Sequence, residues 1–161
     1  MDKEVEAWMK KIERTKGGAV DLSRDEDLSI ALMNLVSLEE HFYFTAMKTQ
    51  NAKYLEFQQS VRALRKKMLE KIVTKPVGEE WCISKHLLAA SMRLYEVGCK
   101  EHSTKGLREA EHYYRAGFDL WSLFFAINLK MVGVQELKQE DKQMGKFSAV
   151  MKKIIDCCKE W

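Results

Sequence analysis

The sequence predicts an all-α fold, a single-domain antiparallel helical bundle of five or six helices spanning residues 1–161. Three observations lead there. Apolar residues return every three to four positions along most of the chain. One proline and eight glycines leave little material for the turns of a many-stranded β fold. No stretch alternates with period two for long enough to form a strand. A chain of 161 residues buries roughly 70% of the surface its unfolded form exposes, so it needs neither metal nor disulfide to fold.

Each helix has its own signals. From Asp2 to Thr15, Val5, Trp8, Met9 and Ile12 fall on one face, and Gly17–Gly18 ends the run. Ser23-Arg24-Asp25-Glu26 has the form S-x-x-E, a capping box in which Ser and Glu satisfy the first N–H groups reciprocally. From there to about Thr49 the apolar seam is Leu28, Ala31, Leu35, Leu38, Phe42 and Thr45. Asn51 opens a third helix whose seam is Phe57, Val61, Leu64, Met68 and Ile72. Lys75-Pro76-Val77-Gly78 breaks it. The fourth helix, about Glu79 to His102, is apolar almost all round between Leu87 and Leu94, which predicts the most buried element. Ser103 to Gly106 reads as a tight connection, and a fifth helix runs from Leu107 to about Met131, ending near Gly133. The last helix, from about Leu137, carries Met144, Phe147, Met151, Ile154, Cys158 and Trp161 on one stripe. Short connections make neighbours antiparallel.

Two resemblances attach to particular residues. Leu94, Val97 and Gly98, then Ala110, Tyr114, Gly117 and Phe118, resemble one tetratricopeptide-type helical hairpin. No second copy stands about 34 residues away, and Ser122 occupies the place of the repeat's proline. Any tight αα-hairpin asks for the same small and large residues. Asp27-Leu28-Ser29-Ile30 through Glu39-Glu40-His41-Phe42, with Trp81 to Leu88, is similar to a family of small helical proteins predicted in genomes of uncultivated archaea and bacteria. That resemblance extends over nearly the whole chain; it implies one compact helical domain and no particular chemistry.

The formal charge of +3 does not announce a nucleic-acid or membrane partner. Met1 to Lys16 is charged throughout, unlike a secretory leader, and Leu120 to Leu129 is too short to span a bilayer, so no membrane association and a cytoplasmic location are expected. Cys82, Cys99, Cys157 and Cys158 form no C-x-x-C pair and read as reduced packing residues.

Four chemistries compete for the polar and aromatic residues. The expected cofactor is none, with a transition metal as the alternative in a ferritin-like site. Its ligands would be Glu39 on the apolar seam, Cys82 and His86 at i, i+4, and the E-x-x-H pair Glu109 and His112. A second alternative is nucleic-acid binding through the basic helix face of Arg62, Arg65, Lys66, Lys67, Lys71 and Lys75, although no aromatic interleaves it for base stacking. Arg108 and His112, also i, i+4, give a weaker hint of a helical ribonuclease. No glycine-rich phosphate loop, G-x-S-x-G or H-E-x-x-H motif occurs, so the chain reads as a non-enzyme. The preferred reading is an interaction module, a homodimer or a binder of another protein, through surplus aromatics at Tyr113, Phe118, Trp121, Phe125 and Trp161.

Overall fold

The structure, a computed structural model, describes residues 3–16, 21–133 and 147–151. Its helices are α1 (Lys3–Lys16), α2 (Ser23–Thr49), α3 (Lys53–Leu69), α4 (Glu80–Lys105) and α5 (Leu107–Asn128), with a further helical turn at 147–151. Among the described residues there is no strand, and the fold is all-α. None of the described helices is long and apolar enough to cross a membrane.

α2 begins at Ser23, where the sequence places it, but by a different device. Asp21 Oδ1 accepts both the Ser23 N–H, at 3.0 Å, and the Ser23 hydroxyl, at 2.7 Å. The Glu26 N–H goes to the Leu22 carbonyl rather than to Ser23. α2 ends at Gln50 in the left-handed region, and Asn51 Oδ1 then accepts the Lys53 N–H at 3.1 Å, so α3 returns antiparallel after a very short link.

α4 and α5 form a second antiparallel hairpin. Ser84 meets Asn128, Ser91 meets Gly117 and Gly98 meets Tyr114. Small residues let the helices close. A Cβ on Gly98 would stand 2.7 Å from Tyr114 Cε1, and one on Gly117 would stand 3.1 Å from the Ser91 carbonyl oxygen. Only Gly106, at φ 92°, separates the two helices, because α4 continues through Ser103 to Lys105.

The end of α5 is also earlier than the sequence suggests. Lys130, not Gly133, takes the left-handed conformation, at φ 56°. Met131 N–H then bonds the Ala126 carbonyl and Lys130 N–H the Ile127 carbonyl, the paired closure of a Schellman motif. The Lys130 ammonium reaches Glu80 at the start of α4 at 2.6 Å, tying the open end of the hairpin.

One core receives Ile12 from α1, Leu32 from α2, Leu69 from α3, Leu88 from α4, Phe124, Phe125 and Ile127 from α5, and Phe147 and Met151. Fully burying each such side chain is worth about 1.5–3 kcal/mol. Trp8 stacks on Phe147 at 5.1 Å, joining α1 to the 147–151 turn. The most buried element is not α4. It is the second half of α5, where residues 122–127 are all buried. α4 instead turns Ser84, Ser91 and Gly98 inward, since close approach to α5 demands small groups there. Leu137, Met144, Ile154, Cys158 and Trp161 of the expected last helix lie outside the described residues.

Candidate functional site

The first hairpin is organised by an ion pair. Glu39 on α2 is buried, and Arg65 on α3 is 3% exposed. Arg65 Nε donates to Glu39 Oε1 at 2.7 Å and its Nη2 to Oε2 at 3.3 Å. Arg62 approaches Oε2 at 3.9 Å. A charge taken from water needs such two-point pairing.

This pair bears on three expectations. Glu39 is taken by Arg65 and is not an open metal ligand. Arg65 is not part of a solvated basic face. The apolar seams expected to point inward do so only in part: Ile72 is buried and Leu28 and Met68 pack against the core, while Leu38, Phe57 and Leu64 are exposed. In α2 the buried positions are Ser29, Leu32, Met33, Val36, Glu39 and Ala46, one residue round from Leu28, Ala31, Leu35, Leu38 and Phe42. In α3 they are Arg65 and Leu69, one residue round from Leu64 and Met68. One residue is about 100° of helix. Both helices turn so that polar side chains meet their partners inside: Glu39 meets Arg65, and Ser29 accepts the Trp121 indole N–H at 2.8 Å while donating to the Glu26 carbonyl at 2.6 Å.

The displaced seams emerge side by side on the outside of the hairpin. Phe42 packs on Phe57, ring centroids 5.8 Å apart, and on Tyr54 at 6.4 Å. Phe57 is 54% exposed and Leu64 47%; Leu38 is also exposed. Tyr54, Phe57, Val61 and Leu64 follow a three-four-three spacing on α3, and Leu35, Leu38 and Phe42 the same on α2. The result is a long apolar stripe contributed by two antiparallel helices.

The aromatic helix behaves differently. Phe125 is 1% exposed and packs edge-on to Trp121 and Phe124, so it cannot meet a partner. Phe118 and Trp121 line an apolar groove of about 530 Å³ between α2, α4 and α5, with Ile30 and Tyr95 at its rim and the Ser91–Gly117 contact beneath. Tyr113 is half-buried against His112 and does not line that groove. Trp161 lies outside the described residues. At the groove end Tyr95 and Tyr114 stand 6.2 Å apart. A hydrogen bond with Cys99 holds the Tyr95 phenol above its ordinary pKa, and burial followed by Cys99 does the same for Tyr114. Both remain neutral at physiological pH.

Of the remaining candidate ligands, His86 lines one cleft with Glu39, whereas His112 lines another. Cys82 and His86 sit exposed on the first turns of α4, and Glu109 and His112 exposed on those of α5. Among the described residues no group of three or more His, Cys, Asp or Glu converges on one point. His112 shares a shallow cleft with Arg108, Glu111 and Arg115, in which Glu111 and Arg115 pair at 2.8 Å. Of the basic run, Lys66 and Lys67 remain exposed on α3, whereas Lys71 and Lys75 follow its end and do not continue a helical face. Arg62 turns toward Glu39.

Comparisons with protein-family models, with curated proteins and with solved structures find no match to this chain.

Proposed function

We propose that the protein is a self-associating interaction module, a homodimer joined through the outer stripe of the α2–α3 hairpin. The observation that carries this reading is the half-exposure of Phe57 and Leu64 on the same face as Phe42, at heptad-like spacing. Side chains of that size at that spacing are what a facing helix pair would bury. The stripe is also self-complementary. Two antiparallel helices presented by one copy meet the same two from a second copy across a two-fold axis, and the four close into a bundle. Of the surface expected on the fifth helix, Phe125 goes to the core, while Phe118 and Trp121 line a groove apart from this stripe. A cytoplasmic location belongs to the same reading, supported by the free thiols of Cys82 and Cys99.

Sedimentation velocity over a wide concentration range tests it. The wild-type chain should sediment as a dimer. Phe57→Glu and Leu64→Glu should sediment as monomers that keep their helical circular dichroism. A wild-type chain that stays monomeric at every concentration, or charged variants that remain dimeric, would overturn the proposal.

A further inference from the structure

Beside the Glu39–Arg65 pair a separate cleft of about 270 Å³ opens between α2, α3 and α4. Its walls carry Arg62 from α3, Lys85 and His86 from α4, and the Tyr43 phenol and Gln58 amide. Its two carboxylates are already engaged. Glu39 is held at two points by Arg65, and Glu40 accepts from Arg93 Nε at 3.1 Å. Arg65 and Arg93, which stand outside the lining, take up those two acids at hydrogen-bond distance, and this leaves Arg62, 3.9 Å from Glu39, and Lys85 as a formal surplus of two positive charges at the cleft. Lys85 is half-buried and forms no ion pair among the described residues. A lysine without an ion-pair partner at the wall of a concave site is a configuration that a bound anion relieves.

We infer that this cleft binds a phosphate dianion, free or as the head of a small monoester, with Lys85 and Arg62 as its charged clamps. The surplus of two matches a dianion rather than a phosphodiester, which carries one charge. Arg62 offers a forked donor and Lys85 a point charge, the two modes by which proteins hold phosphate oxygens. Gln58, Tyr43 and His86 supply neutral donors around the rim. The site faces α4, about a third of a turn of α3 away from Phe57 and Leu64, so it stands independently of the proposed dimer.

Isothermal titration calorimetry of the full chain tests it with three probes: inorganic phosphate, adenosine monophosphate, and sodium chloride at matched ionic strength. Saturable one-to-one binding of phosphate, absent with chloride, is expected. Tighter binding of the monophosphate would identify a monoester as the natural source, and equal or weaker binding the free ion. Lys85→Gln and Arg62→Gln should each weaken binding about tenfold to a hundredfold, the loss of one charge-assisted hydrogen bond, with unchanged thermal melts. Lys66→Gln, outside the cleft, should leave binding unchanged. Absence of saturable phosphate binding, an equal response to chloride, or an equal loss in Lys66→Gln would overturn the assignment.

Discussion

Glu39 and Arg65, 26 positions apart in sequence, form a buried two-point ion pair that sets the rotation of both helices in the first hairpin. Its geometry makes it costly to break from one side. Arg65→Met should leave Glu39 as a buried charge with only Arg62 at 3.9 Å, lowering stability by about 3–5 kcal/mol. Glu39→Leu combined with Arg65→Met should recover most of that loss. Urea denaturation of the two single variants and the double supplies the cycle. Single losses that simply add would show that the pair does not organise the hairpin.

The contact of Gly98 with Tyr114 makes a second prediction. In most helix interiors Gly→Ala gains about 1 kcal/mol. Here the new Cβ would lie within 2.8 Å of two ring carbons of Tyr114, and overpacking costs about 1–3 kcal/mol. Crowding wins, so Gly98→Ala should be destabilising. In a Tyr114→Leu background, which removes the ring, the same substitution should become stabilising. Thermal melts of the four proteins read the change of sign.

Glu80 and Lys130 give stability a dependence on pH. Burial pushes the Glu80 carboxyl up, but the Lys130 hydrogen bond, the Val77 N–H and the Lys130 charge together outweigh it, so Glu80 titrates below its ordinary value of 4.5. A carboxyl depressed on folding contributes its full stabilisation above the ordinary value and loses it as pH falls through the lower, folded one. Denaturant midpoints should therefore drop across that acid window. Lys130→Met, which removes a half-exposed donor, should cost about 1 kcal/mol at neutral pH and flatten the acid slope. An unchanged slope would remove Lys130 from the account.

Much of the architecture was legible in the sequence because helix starts and stops are local. Ser23, the Asn51 link and the Lys75–Gly78 break each mark a boundary found in the structure. The inward faces were not legible, for a reason that is not local. Counting apolar residues puts Leu35, Phe42 and Phe57 inside. It cannot know that Glu39 and Ser29 find partners on α3 and α5, which makes polar side chains good core residues. The same blindness assigned Arg65 to a solvated stripe. The aromatic excess of the fifth helix is divided: Phe124 and Phe125 fill the core, while Phe118 and Trp121 line an open groove. Lys85 and Tyr43 carried no pattern at all. Only the approach of α2, α3 and α4 brings them to one cleft.

Gly106 is the lone residue between two long rods. A side chain there would meet no neighbouring atom, so its intolerance is purely one of backbone angle at φ 92°. Any residue that resists this angle favours running straight through, giving a single rod of about 70 Å from Glu80 to Asn128. A rod of that length can satisfy its small-residue groove only by borrowing the same rod from another molecule, a domain-swapped exchange. One hinge without a Cβ thus keeps the second hairpin folded back within its own chain.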